Sequence, residues 1–305
     1  MSEFASIRPT QWSALFLLGA LVVGCGGTTR TGAWGSESAG ADDTSAAAVE
    51  KRATLLRGAE AAWEKRDDAA EVVAAIEAWQ AALQIMPSDT DTWAMLSRAQ
   101  YFNADCQLRF TDKEAMKAEY NASIDSAERS LVTRSAAFAE KMKSGARIEE
   151  AIEVLDKSAV PALYWRSSAL GKWASEEGFA TLLSYKDEVR AVMEFCLNND
   201  RPFFHFGPDR YFGVFYARAP GFAGGDLDKS RDHFERSIKA EPRYLGTRVL
   251  MAEDYAVKSA DQKLYEELLN FVVNADANSL PEVAPENRCE QRKAKEDLEK
   301  VDELF

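Results

Sequence analysis

The chain has 305 residues, 46% hydrophobic and 29% charged, with a formal net charge of −13 and a pI near 4.9. That is ordinary globular material, long enough for one large or two modest domains, and its acidity excludes a nucleic-acid surface, which needs a basic stripe to neutralise phosphates. Strand signals are scarce, helix formers dominate, and the nine prolines fall mostly between helical runs, so the expected fold is all-α.

At the N-terminus Arg8 precedes an apolar run over residues 12–23. The run is too short for an ordinary transmembrane helix and has the shape of a secretory signal. It ends in Val22-Val23-Gly24-Cys25, which resembles the bacterial lipobox, where a cysteine receives a diacylglycerol thioether and becomes the mature N-terminus. We therefore expect a lipoprotein signal peptide over 1–24 and a lipid on Cys25, the alternative being a simple cleaved signal. Gly26 is not the aspartate of inner-membrane retention, so the anchor is expected on the periplasmic side of an outer membrane. Residues 26–48 are mostly Gly, Thr, Ser, Ala and Asp with one tryptophan, too little apolar surface to order a segment. The lipidated cysteine and this stretch, 25–48, read as a flexible tether to a helical domain over 49–305.

The first folded helix runs through Trp63 and the second spans 69–85. Ala82, Trp79 and Ala75 lie five, eight and twelve residues before Pro87; Trp93, Leu96 and Ser97 lie six, nine and ten after it. Residues 113–143 read as one long helix or two, with Met116, Tyr120, Ile124, Ala127, Leu131 and Ala137 on an apolar track, and 149–157 as a short amphipathic helix. Pro161 opens ALYWRSSALGKWAS, in which Trp165, Ser168, Ala169 and Trp173 are similar to the first helix of a degenerate repeat; 185–197 are similar to its second.

The entourage of Pro87 returns around Pro242: Ser237, Phe234 and Ser230 stand five, eight and twelve residues before it, Met251 and Ala252 nine and ten after it. This is the spacing of a tetratricopeptide repeat, a helical hairpin in which small residues let two helices approach and large ones fill the remaining gap. Asp226 is placed to cap the helix that Pro242 stops. Such hairpins bury their faces only by stacking, so the expectation is an α-solenoid of cryptic tetratricopeptide-like hairpins. The charged helix over 286–305, with Leu298, Val301, Leu304 and Phe305 on one side, is expected to cap it against the last hairpin.

Between Tyr216 and Gly225 the second hairpin carries about five residues more than a standard repeat, so APGFAGG is expected to bulge as a rim or plug. The same segment is rich in aromatics. Phe204, Phe206, Tyr211, Phe215, Tyr216 and Phe222, with Arg210 and with Trp165 and Trp173 upstream, are the candidate lining of a pocket or pore for an apolar ligand; the alternative is that the aromatics are plain core. Arg210 reads either as the partner of Asp209 or as a fork for a ligand carboxylate. Apart from Cys25, only Cys106, Cys196 and Cys289 remain, enough for one disulfide, and their spacing and two histidines match no zinc pattern, so no metal or cofactor is expected. Neither His205 nor His233 sits in a nucleophile or general-base signature, and the glycines before Asp226 lack the Gly-Lys-Ser/Thr of a phosphate loop, so catalysis is not expected.

The run GPDRYFGVFYARAPGFAGGD, the helices HFERSIKAEPRYLGTRVLMAEDYAV and the closing QRKAKEDLEKVDELF resemble the T component associated with TRAP (tripartite ATP-independent periplasmic) transporters, the TatT family. That likeness implies a periplasmic lipoprotein of cryptic tetratricopeptide hairpins, a homotrimer, partnered with the solute-binding P subunit, and a role in binding or relaying an apolar or organic-acid ligand. The alternative is an outer-membrane tetratricopeptide lipoprotein that assists envelope or pilus assembly.

Overall fold

The structure, a computed structural model, describes residues 28–35 and 40–305. The expected signal peptide and the lipid acceptor Cys25 lie outside the described residues. Among these residues there is no strand, and the long helices stack as antiparallel pairs.

The two proline-centred hairpins are built by the same local chemistry. Helix α1 (Ala46–Trp63) pairs with α2 (Ala69–Ile85), which opens on the Asp68 carboxylate accepting from the Ala70 N–H. A proline disfavours helical geometry in the residue before it, so Met86 leaves the helix at φ −131°, ψ 77°. In the second hairpin Asp226 caps α10 (Leu227–Ala240) through the Lys229 N–H, and Glu241, before Pro242, takes φ −137°, ψ 85°. The residue six places after each proline seals that proline's carbonyl: Trp93 Nε1–H donates to Pro87 O at 3.0 Å, Arg248 Nη1–H to Pro242 O at 2.6 Å. The following helices, α3 (Thr90–Phe102) and α11 (Gly246–Leu250), both widen into a π turn, Asn103–Gln107 and Met251–Ala256. The small residues at the crossings, Ala75, Ala82, Ser97, Ser230, Ser237 and Ala252, are all fully buried, with Trp79 and Phe234 filling the gaps between them.

The middle of the chain departs from this regularity. Residues 113–143 form two helices, α4 (Lys113–Arg134) and α5 (Ala136–Lys143), because Ser135 is extended and its side chain caps the second. The turn rotates the apolar track, so Phe138 is buried and Ala137, expected inside, is exposed. The short amphipathic helix is α6 (Ile148–Ala151) followed by two single 3-10 turns. Helix α7 (Val160–Glu177) carries Pro161 in its first turn, where a missing N–H costs nothing, and pairs with α8 (Phe179–Asp200). Helix α9 (Phe203–Arg218) then pairs with α10, α7 lies against both α3 and α4, and α12 (Gln262–Asn274) completes the stack.

Two expectations change. The C-terminal helix breaks at Glu299 into α13 (Ala284–Leu298) and α14 (Val301–Leu304). Leu298 and Val301 do lie against the last hairpin, and Phe305, though partly exposed, stands edge-on to Tyr265 at 5.4 Å between ring centres, but Leu304 is exposed and the most buried polar residues of the C-terminal segment lie on α13: Glu286, Asn287, Glu290, Lys293 and Asp297. This helix turns back to the first hairpin. Arg66 donates to Glu286 at 2.8 Å, Arg288 pairs with Asp67, and Cys289 is disulfide-bonded to Cys106, 183 residues away, leaving Cys196 a buried free thiol. Helix α13 is therefore a bridge that joins the two ends of the solenoid as well as a cap. The second change concerns the tether. Residues 28–35 lie against α4, α7 and α8 through Arg30 and Trp34, and Asp42 and Asp43 bond to Ser88 and Ile85, so these parts of 25–48 are seated on the fold. Arg30 supplies what composition alone does not suggest, a charge-assisted bond to the fully buried Glu128.

Candidate functional site

A cavity of about 200 Å³ lies between α7, α8 and α9, with Tyr101 of α3 and Leu250 of α11 behind it. Each wall is one helical face. On α7 it is Tyr164, Trp165, Ser168, Gly171 and Lys172; on α8 it is Phe179, Leu182, Leu183, Lys186 and Val189; both follow steps of three and four. The small Ser168 and Gly171 leave the space that a larger pair would fill. The third wall, α9, comes close to α7 only because residue 207 is glycine: a Cβ there would fall 2.4 Å from the Tyr164 hydroxyl.

The start of α9 is unusual. Phe204, His205 and Phe206 are left-handed, at φ 44°, 55° and 59°, a conformation that costs a non-glycine residue roughly 1–2 kcal/mol. Side chains hold the turn in place. Phe204 lies edge-on to Trp165 at 4.6 Å between ring centres, His205 stacks on Tyr244 at 5.3 Å, and Ser237 Oγ donates to the Phe206 carbonyl at 3.4 Å. Arg210 does the most: its guanidinium donates to the carbonyls of Phe204 at 3.2 Å and His205 at 3.1 Å and to the Tyr164 hydroxyl at 3.0 Å, and lies over the Tyr244 ring at 4.4 Å. Burial, and next the Arg210 charge, push the His205 imidazole down, so it is neutral near pH 7.

Arg210 is 5% exposed and lines the cavity, and among the described residues it has no carboxylate partner. The expected alternative, an Asp209–Arg210 pair, does not form, because neighbours on a helix point to different sides. Asp209 faces α10 and takes Arg201 at 2.7 Å, His233 at 2.9 Å and Arg236 at 3.1 Å. Burial would raise its carboxyl, but these three partners hold it well below the usual carboxylate range.

Beyond Arg210 the cavity adjoins a chamber of about 40 Å³ lined by Asp105, Lys172, Glu253, Glu290 and Lys293. Lys293 donates to Glu290 at 2.9 Å and also pairs with Asp105, while Lys172 reaches Asp105 at 3.5 Å. Burial works against the Asp105 charge, yet Lys172, Lys293 and Arg109 keep it far below the usual range; Asp105 and Glu290 hold the buried Lys293 up in turn. The site is thus an apolar cleft whose inner end is polar and carries Arg210 and Lys172. The Ser167 hydroxyl, on the same wall, has no hydrogen-bond partner.

Of the candidate residues, Trp165, Phe204, Arg210, Tyr211 and Phe215 come together on this cavity. The other four do not line it. Trp173 is buried behind the wall, edge-on to Tyr185 at 5.9 Å; Tyr216 stacks on His233 at 5.7 Å; Phe206 belongs to the left-handed turn. Phe222 is 88% exposed. The loop bulges as expected and Ala219 and Pro220 form part of the rim, but the Gly225 N–H bonds back to the Pro220 carbonyl and turns Phe222 outwards. The sequence reading missed the α8 wall and Tyr101, Tyr164 and Lys172; the signal was available in Phe179, Leu182, Leu183 and Lys186, at helical spacing, and in a lysine on the small-residue face of α7.

His233 and Asp209 form the one histidine–carboxylate pair in this region, but the imidazole is packed against Phe212 and Tyr216, and Ser230 and Ser237 are engaged elsewhere, with Gly213 O and with Phe206 O and Thr247. Among the described residues no group of three or more His, Cys, Asp or Glu side chains has metal-binding geometry, and no described helix is long and apolar enough to cross a membrane.

The fold is all-α and consistent with a helical solenoid, built around an apolar cleft with cations at its inner end. The chain belongs to the TRAP transporter T-component family, whose model matches residues 109–305, and is thus a component of a TRAP transporter. The match covers every helix that walls the cavity except α3. No curated protein matches the chain.

Proposed function

We propose that the protein is the non-catalytic lipoprotein scaffold of a TRAP-type uptake system. It docks the solute-binding P subunit and holds an organic acid with an apolar body in the cavity between α7, α8 and α9. The observation that carries the ligand half is Arg210, a buried guanidinium on the lining of an apolar cleft whose hydrogen-bond partners are all neutral oxygens, with no carboxylate among them. A buried cation is far more stable with an anion beside it, and a carboxylate seated against Arg210 would answer a charge that only neutral oxygens now meet. The volume supports the same reading, since a dry apolar cavity of about 150 Å³ accepts a benzene ring, and this one is somewhat larger and open at one side. Family membership favours transport over the envelope-assembly alternative.

The Cys106–Cys289 disulfide fits an oxidising compartment, in keeping with a lipid on Cys25 and a periplasmic location at the outer membrane. The assembly we propose is the homotrimer that the resemblance implies. Retention of the solute-binding protein encoded beside it, in a pull-down at micromolar concentration, tests the docking half; no retention overturns it. For the ligand half, titration calorimetry with 3-phenylpropionate against its neutral amide should show binding of the acid alone. Arg210→Met should reduce that binding about tenfold or more, the loss of one charge-assisted bond of about 1.5–3 kcal/mol. Equal binding of acid and amide sinks this reading.

A further inference from the structure

The chain joins the fold beside the cavity mouth. The Thr28 N–H donates to Thr181 Oγ1 at 2.9 Å, Thr28 Oγ1 bonds Glu177 at 3.2 Å, and the Arg30 N–H donates to the Tyr185 hydroxyl at 2.8 Å. Tyr185 is itself a wall residue of the cavity, and Phe179, Leu182 and Leu183 beside it are others. Further on, the strap is locked: Arg30 reaches Glu128 at 2.8 Å and Asn121 at 3.1 Å and pairs with Asp125, and Trp34 sits edge-on to Phe138 at 5.7 Å with Arg166 over its ring. Glu128 is fully buried and shared by Arg30 and Arg166, so pulling Arg30 out costs the burial of a less compensated charge.

Cys25 stands three residues before Thr28, so even a fully extended chain places it within about 11 Å of Thr28. The mouth also carries the two most exposed large apolar side chains among the described residues: Phe179, 64% exposed at the start of α8, and Phe222, 88% exposed on the rim loop two residues beyond Pro220. Phenylalanine on a membrane-facing surface is buried at the boundary between headgroups and acyl chains. A chain of net charge −13 gains nothing overall from anionic lipid, so contact would rest on the anchor and on these rings.

We propose that the strap orients the protein so that the cavity mouth faces the leaflet holding the Cys25 lipid, with Phe179 and Phe222 touching its interface. The cavity then exchanges its apolar ligand with the membrane and not with the aqueous phase. This rests on the lipidation reading of Cys25 and on no particular ligand.

The test uses the full chain, purified with its lipid and placed in vesicles of phosphatidylethanolamine and phosphatidylglycerol that contain a headgroup-level nitroxide lipid. A fluorophore is attached in turn at Phe222→Cys, at Phe179→Cys and, in the first hairpin, at the exposed Arg57→Cys. Quenching several-fold stronger at 222 and 179 than at 57 is expected; equal or reversed quenching overturns the proposal. Arg30→Ala should abolish the contrast while helicity is retained. An insertion of about twelve Gly and Ser residues before Thr28, adding roughly 20 Å of reach, should do the same without touching the strap. A contrast that survives both changes shows that the strap does not orient the molecule and also overturns the proposal. Intact mass separates the causes of failure: absence of lipid on Cys25 removes the anchor reading itself, whereas lipid without the contrast removes only the orientation and leaves P-subunit docking standing.

Discussion

The hairpins centred on Pro87 and Pro242 share their cap, their proline geometry, their sealed proline carbonyl and their π turn, yet they border the cavity unequally: the first reaches it only through Tyr101, whereas the second supports α9, one of its three walls. In the first, α2 packs Trp79 against its neighbours and the space is filled. In the second, α10 packs Phe234 onto Gly213 of α9, and α9 carries the cavity wall on its other side. The lesson is that the same local pattern builds a rigid frame twice, and a cavity arises where a framed helix meets the irregular pair α7 and α8.

The most forceful way to test that equivalence is to empty both hairpins. Trp79→Ala and Phe234→Ala should each cost about 3–5 kcal/mol, read by urea unfolding, since both side chains are buried at a helix crossing. Similar losses confirm a shared frame; a loss below about 1 kcal/mol in either breaks the comparison. Next comes the bridge between them. Cys106→Ser together with Cys289→Ser should cost about 2–5 kcal/mol and lower the unfolding midpoint of the first hairpin more than that of the second, as hydrogen exchange would show.

Acid should separate the hairpins in a second way. Asp209, beside α10, has its pKa depressed in the folded state, so its contribution is fully present above the unfolded value near 3.9 and is lost as pH falls below it. Asp209→Asn should therefore lower stability at neutral pH and flatten the acid limb of a midpoint-against-pH curve between about pH 4 and 2. An unchanged acid limb contradicts the ion cluster. Smaller again is Gly207→Ala, which drives a methyl into Tyr164 and should cost about 1–3 kcal/mol while narrowing the cavity. Phe222→Ser closes the series: at 88% exposure it should shift stability by less than about 0.5 kcal/mol, so any effect it has on membrane contact is separable from folding.

The frame was legible because its signals are local. A cap and a proline with small residues at fixed offsets act within one hairpin, and the boundaries of α2 and α10 follow from them. One wall of the cavity, that of α9, was legible for a similar reason, since Phe204, Arg210, Tyr211 and Phe215 sit close together in the chain. What was not legible depends on meetings between distant segments. Nothing near Arg210 in the sequence tells that Asp209 turns to α10 and leaves the guanidinium to the cleft, nor that Glu128 waits for Arg30 some hundred residues earlier. Ala137 was misplaced because a single extended serine resets the helical phase. The buried polar side of α13 was not legible, because a charged helix ordinarily turns its polar residues to solvent; here Glu286, Glu290 and Lys293 find partners on α3, at its π turn or in α13 itself.

The bridge made by α13 has a consequence for how such a chain can change. An open array of hairpins tolerates an added or deleted copy, because each unit touches only its neighbours. Here Arg66 and Cys106 must meet Glu286 and Cys289 after a fixed number of turns, so one more pair between them would pull those partners apart. The number of units is locked by its own ends, and variation is left to the rim loop and the cavity faces.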